Sequence, residues 1–530
     1  MSSARGFDRQ VMAVGLLAAM VSFTALLYFL QRDLILIYGD AEGHINIARR
    51  IFDSRTPGLL QIGTVWLPLP HLLILPFVVN LRLWSTAVGG SIPSMIAYIF
   101  GAMGIFRLVR RLVGVEGLAA LLAPWLAVLL FAGNPNLVYL QTTAMTESLY
   151  LALFVWAMVY LSEFASATKE GKRHEASRAL IKSGVLFAAA MLTRYDAWFV
   201  AALVAAVPLV LAWRGQVERK PVAIFAALIA GVAVIWLGYN AVVYKNPLEF
   251  VTGPLSAKAI EHRIVQPPHP GTNDLVGSAL YYGKAVQLNL AAGWTAKLWL
   301  LAGLVGSVAA CWRRQWVVLV LWLPCVFYIL SVAYAGVPIF VPTWWPFGKY
   351  NVRYGLQLLP AVAVSCSLAL AWLERKAANV APAVAGIAVV LALGAQIAVW
   401  RSEPICLGEA LLNMRARYGL ETALARQLQF LPSDATILMS LRDYPGAVER
   451  AGIPLKRLIF DENHRPWVRP RDPEGLWERA LEKPEAFADF AIGFPDVYGV
   501  DAVEQMARER GLKPVMFLHS TQSARIYRLR

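Results

Sequence analysis

Asp40, Glu42 and His44 fall within one six-residue segment, GDAEGH (39–44). A carboxylate can take a proton from a hydroxyl or hold a divalent ion through oxygen, and an imidazole can do either near neutral pH. Asp40 and His44 are four residues apart, so a helix would put them on one face. The plainer role for Asp40 and Glu42 is to cap a surface helix and favour its positive first turn. Four further groups carry charge in otherwise apolar surroundings. Glu147 stands in TTAMTESLY (142–150), and Arg194 and Asp196 in LTRYDAW (192–198). Lys349 and Arg353 stand in KYNVRYGLQLLP (349–360). SAKAIEHR (256–263) adds Lys258, His262 and Arg263 in a long, proline-rich loop. Glu147 would also suit a helix start, and Arg194 would also suit snorkelling to a membrane surface. Lys349 and Arg353, four apart, would point together if they share a helical turn. Arginine's planar fork can then hold a phosphate by two oxygens.

The elements that must position these groups are membrane spans. The chain has 530 residues, of which 58% are hydrophobic and 16% charged. Mean hydropathy is +0.54. Soluble domains carry about a quarter charged residues, so this is a polytopic membrane protein. Eighteen tryptophans and nineteen tyrosines suit two interfacial belts. The net charge of +15 does not call for nucleic acid, because much of the basic excess lies in short loops between apolar runs. The four cysteines show no C-x-x-C spacing and indicate neither a disulfide framework nor a zinc site. Val11–Leu30 has no charged residue, and about 20 apolar residues span a bilayer. It lacks a small-residue cleavage pattern before Gln31 and reads as an uncleaved span.

Basic loops at 107–111, 169–182, 214–220, 313–314 and 375–376 belong in the cytoplasm by the positive-inside rule. Loops 31–90, 134–147, 240–293 and 336–353 then fall on the outer side, and every candidate residue lies there or at its edge. About eleven spans follow, near 11–30, 91–107, 117–133, 148–163, 183–193, 197–213, 221–239, 294–311, 316–334, 354–373 and 381–400. Segment 64–77 is apolar but holds Pro68, Pro70 and Pro76, which suits short interfacial helices rather than a straight span. From Arg401 the composition becomes mixed. Strands are expected at 435–440, 457–460, 487–494, 514–520 and 525–529, with helices at 411–431 and 500–510. That describes a small α/β domain, 401–530, outside a membrane domain, 1–400.

Ionisable groups at membrane depth are functional candidates by default. Acids and guanidinium groups at one interface suit a substrate with an apolar tail and a phosphate head. A base would deprotonate an acceptor hydroxyl while a cation neutralises the departing phosphate. That is glycosyl transfer from a polyprenyl-phosphate sugar.

The layout resembles the C-type glycosyltransferase superfamily (GT-C). That superfamily includes protein O-mannosyltransferases, lipid A aminoarabinose transferases and the catalytic subunits of oligosaccharyltransferases. The resemblance is carried by GDAEGH (39–44), PSMIAYIFGAMGIFRLVRRL (93–112), AMTESLYLAL (144–153), LTRYDAWF (192–199) and VRYGLQLLPAVAV (352–364). It implies an α-helical polytopic fold with a small extracytoplasmic α/β domain. It implies inverting transfer to a lipid, glycan or protein acceptor at the periplasmic side of a bacterial inner membrane. Asp40 matches the catalytic aspartate of the first outer loop, and Glu42 its second acid. Glu147 matches an acid of the second outer loop, and Arg353 a basic residue near the donor phosphate. The residues themselves add His44, Arg194 and Lys349 as substrate-binding groups. The D-x-E pattern departs from adjacent acids or strict D-x-D and leaves the cofactor open between none and Mg²⁺ or Mn²⁺. If an ion binds, Asp40, Glu42 and Glu147 would hold it. The rival class is a transporter or flippase of polyprenyl-linked glycans, which would show internal repeats and polar groups at mid-bilayer. No clear repeat is visible.

Overall fold

The computed structural model describes residues 8–114, 117–264, 268–464, 472–497 and 501–530. Its principal helices are α1 (Arg9–Leu30), α2 (Gly39–Arg50), α3 (Pro68–Val78), α4 (Val88–Val113), α5 (Leu118–Ala132) and α6 (Glu147–Lys169). They continue as α7 (Arg173–Met191), α8 (Asp196–Trp213), α9 (Arg219–Tyr244), α10 (Leu275–Leu290), α11 (Gly293–Trp312) and α12 (Leu323–Tyr334). The last are α13 (Leu359–Lys376), α14 (Ala381–Arg401), α15 (Ile405–Arg415), α16 (Tyr418–Phe430) and α17 (Pro445–Ala451).

Among the described residues, nine helical stretches are long and apolar enough to cross a membrane. They are α1, α4, α6, α8, α9, α11, and the stretches Val317–Tyr334, Val352–Lys376 and Ala381–Arg415. The other two expected spans are also helices. α5 has 15 residues, which reach about 22 Å at 1.5 Å per residue. α7 has 19 residues, and the apolar 183–193 is only its second half. Its first half carries Arg173, Glu175, Arg178 and Lys182, because an established helix extends through charged residues at little cost. α3 has 11 residues, about 16 Å, half of a ~30 Å hydrocarbon core. Pro68 and Pro70 start it and Pro76 lies inside it, so 64–77 is a short helix as its prolines suggest.

The stretch Val352–Lys376 is the centre of the bundle, with 83% of its apolar window buried. It packs on α11, α5 and α4. It begins as a 3₁₀ turn, Val352–Leu358, before α13. A Cβ on Gly355 would lie 2.4 Å from the Ala285 carbonyl of α10, so only glycine lets this turn sit directly on α10. Asn289 of α10 donates to the Val352 carbonyl at 2.6 Å and fixes the turn's start. This turn carries Arg353.

The C-terminal region forms a five-stranded sheet in the order β2-β1-β3-β5-β4. Its strands are β1 (Ile437–Met439), β2 (Leu458–Ile459), β3 (Phe490–Gly493), β4 (Met516–His519) and β5 (Ser523–Arg528). β1 runs parallel to β2 and β3, with Ile437 opposite Leu458 and Phe490. β5 runs antiparallel to β3 and β4. Four of the five expected strands contain one of these, and the fifth, 525–529, overlaps β5, which begins two residues earlier. β1 is buried throughout, as the central strand of a covered parallel ladder should be. The expected helical run 411–431 is broken into α15 and α16, and 500–510 contains the helix Ala502–Glu509; residue 500 lies outside the described residues.

Candidate active site

α2 brings Asp40 to the site. Asp40 and Glu42 lie in its first turn and Arg49 and Arg50 in its last, the arrangement that a helix dipole favours. Ala41, Ile45 and Ala48 bury its inner side. Asp40 bonds Nη2 of Arg353. Arg353 donates from Nη1 to Glu409 at 2.6 Å, and its Nε lies 3.4 Å from Glu147. The same Glu147 oxygen accepts from Arg194 at 3.2 Å. Arg194 also lies 3.4 Å from Asp196 and donates to the Tyr328 hydroxyl at 2.7 Å, and that hydroxyl donates to Asp196 at 2.8 Å. The Tyr354 ring lies 5.1 Å from the guanidinium of Arg353 and 5.2 Å from that of Arg194, close enough for cation–π attraction to both.

This is one chain of contacts, Asp40–Arg353–Glu147–Arg194–Asp196, with Glu409 and Tyr328 attached. Four carboxylates share two guanidinium groups. Glu147, Asp196 and Glu409 are 0% exposed, whereas the Asp40 side chain is 39% exposed. Asp40 is therefore the carboxylate of the cluster that a substrate can reach. Glu147 and Asp196 begin α6 and α8, so helix starts gather the cluster at one end of the bundle.

The other expected site residues are placed differently. Glu42, two residues from Asp40, turns to another helix face. It is 1% exposed and bonds Arg417. His44 shares the Asp40 face but is buried, with Nδ1 2.9 Å from Nε2 of His71 and its ring 4.5 Å from that of Trp66. Burial pushes the His44 imidazole down to about 4, so it is neutral across the physiological range. Lys349 does not join Arg353. The backbone turns left-handed at Asn351 (φ 54°), which separates the Phe340–Tyr350 bridge from the 3₁₀ turn and prevents a shared helical turn. Lys349 pairs with Glu403 at 3.0 Å.

No family model matches the chain, and no curated protein matches it. Solved structures do. ArnT from Cupriavidus metallidurans, bound to undecaprenyl phosphate, aligns over 100% of this chain and 99% of its own, with 14% identity and a TM-score of 0.57. Its apo state gives 0.58 over the same extents. The apo oligosaccharyltransferase of Archaeoglobus fulgidus aligns over 93% of this chain and 70% of its own, with 12% identity and a TM-score of 0.50. This is the GT-C fold.

Within the GT-C frame the metal question turns on the donor set. Glu42 is committed to Arg417, one Glu147 oxygen faces two arginines, and Asp40 is bonded to Arg353. Among the described residues no three acidic, histidine or cysteine groups converge as a metal would need. The set Asp40, Glu42 and Glu147 does not fit an ion. Glu409, Tyr328 and Tyr354 are members of the cluster that sequence reasoning missed. Glu409 had a signal. It is an acid in the apolar stretch CLGEALL (406–412), where an unpaired charge would be costly.

Proposed function

We propose that the protein is an inverting glycosyltransferase that uses a polyprenyl-phosphate-linked sugar at the outer face of a bacterial inner membrane. The observation that carries this reading is the exposed Asp40 carboxylate held by a buried arginine. In this reading Asp40 accepts the proton of an acceptor hydroxyl as its oxygen attacks the anomeric carbon. The bond from that carbon to the phosphate oxygen breaks. Polyprenyl phosphate leaves with the electron pair, and Arg353, supported by Arg194, meets its charge. One displacement gives inversion. The fold shared with a structure that holds undecaprenyl phosphate supports the donor class. Donor phosphate and Asp40 compete for Arg353 Nη2, so donor binding would release the carboxylate to act as base. The rival transporter reading needs polar groups across mid-bilayer, whereas this ion-paired cluster gathers at helix starts.

We place the N-terminus in the cytoplasm and the 401–530 domain outside, since the basic loops then share the cytoplasmic side. The testing experiment is titration of purified protein with undecaprenyl phosphate, together with glycan and lipid analysis of a deletion strain. Absence of binding and an unchanged envelope profile would remove the reading.

A further inference from the structure

The helix that carries Asp40 is held at both ends by the C-terminal region rather than by the spans alone. Arg417 reaches Glu42 and Glu421 with one nitrogen, and the Ile37 carbonyl at 3.4 Å with the other. Arg450 donates to the Leu36 carbonyl at 2.8 Å and to Asp33 at 2.9 Å. Beyond the far end of α2, Asp53 accepts from the backbone amides of Leu455 and Lys456 at 3.1 and 3.2 Å. The contact around Glu42 is tight. A Cβ on Gly446 would lie 2.6 Å from a Glu421 oxygen and 2.7 Å from a Glu42 oxygen. We propose that Arg417 is a positioning residue for Asp40: it clamps Glu42 and the Ile37 carbonyl from the C-terminal region and so sets the direction in which Asp40 meets substrate. This rests on reading Asp40 as the acceptor base.

The clamp is proton-linked. Three buried carboxylates, Glu42, Glu421 and Glu449, face two guanidinium groups, Arg417 and Arg450. Neither Glu449 oxygen has a hydrogen-bond partner among the described residues. Asp33 pairs with the outer side of Arg450, and Asp40 adds its field to Arg417. Burial pushes all three carboxyls upward, and Glu421 and Glu42 raise Glu449 further. A carboxyl raised in the docked state holds protons that the undocked state releases. Docking is therefore strongest in acid and weakens as pH climbs above the ordinary glutamate range, about 4.3.

Hydrogen exchange on the purified full-length chain, read over residues 36–48 and corrected for intrinsic rate, tests both parts. Wild-type protection should fall from about pH 4.5 to about pH 8, the interval between the ordinary and the raised Glu42 value. Arg417→Gln should lose about tenfold protection, the scale of a lost charged hydrogen bond, and Arg417→Lys should recover part of it. Gly446→Ala should loosen the same segment by forcing Glu42 and Glu421 apart, and it stands in if Arg417→Gln does not fold. Glu449→Gln, neutral in place of a carboxyl, should keep protection and flatten its pH dependence. Protection unchanged by Arg417→Gln or Gly446→Ala overturns the clamp, and an undiminished pH slope in Glu449→Gln overturns the proton link. In transfer assays Arg417→Gln should lower kcat with the donor KM retained. Because exchange is read without substrate, wild type that fails to bind undecaprenyl phosphate counts against the transferase reading alone.

Discussion

Arg353 joins Asp40 to Glu409 through the two terminal nitrogens of one guanidinium. Glu409 in turn accepts from the backbone amides of Asn351 at 2.8 Å and Arg353 at 3.3 Å. The guanidinium that aligns the exposed acid of α2 is thus itself aligned by a buried acid of α15. The site is assembled from segments hundreds of residues apart, and its rigidity depends on buried charges that pair with one another.

Glu409 should therefore matter to stability before it matters to chemistry. Removing one partner of a buried ion pair costs about 3–5 kcal/mol, because the other charge stays buried. Arg353 retains Glu147 and Asp40, so Glu409→Ala should fall at the low end, about 3 kcal/mol. Glu409→Gln keeps an acceptor for both amides and should cost less. Thermal unfolding in detergent reads this directly, and equal midpoints for wild type and both variants would remove the structural role.

Asp40→Asn removes the proposed base and keeps the shape. Transfer should fall about 10²–10⁴-fold, the range of general base catalysis. The thermal midpoint should stay near wild type, since the exposed Asp40 contributes less to the buried network than Glu409 does. Wild-type turnover in a folded Asp40→Asn variant would leave Asp40 as a helix-start acid and nothing more.

The sequence was legible where a pattern repeats and opaque where backbone geometry decides. Apolar length located the spans, and five short runs in the mixed sequence after Arg401 located the strands, because burial writes itself into many residues at once. Asp40, Glu147, Arg194 and Arg353 could be singled out because charge in an apolar setting is costly and needs a reason. Their mutual pairing was not legible. It depends on the left-handed Asn351, which detaches Lys349 from Arg353, and on the close approach at Gly355. Glu42 looked like a second site acid because its true partner, Arg417, is 375 residues away. Spacing reports which helix face a side chain takes, and not what waits opposite that face.

Chelation should leave transfer intact. Glu42 faces Arg417, Glu147 faces two arginines and Asp40 bonds Arg353, so each of the three expected ligands is already paired with a fixed cation. Turnover in excess EDTA should match turnover in Mg²⁺ or Mn²⁺ within about twofold, because in the proposed reaction guanidinium groups meet the developing phosphate charge. Loss of activity on chelation, restored by one added ion, would show that the carboxylates rearrange around a metal.

Donor binding should expose the competition at Arg353. A polyprenyl phosphate that bonds Arg353 must share or displace the Asp40 carboxylate, since both are anions seeking Nη2. Arg353→Gln should weaken undecaprenyl phosphate by about 1.5–3 kcal/mol, the usual worth of a hydrogen bond to a charged group. Arg353→Lys should recover only part, because the planar fork is lost. Asp40→Asn should act in the opposite direction and bind donor at least as tightly as wild type, since it removes the competing charge while slowing transfer. The gain should vanish in the Asp40→Asn, Arg353→Gln double variant, because two groups that act on one another are not additive. Titrating wild type and the four variants with undecaprenyl phosphate decides the point. If Asp40→Asn weakens donor binding as much as Arg353→Gln does, the two residues hold the phosphate together and do not compete for it.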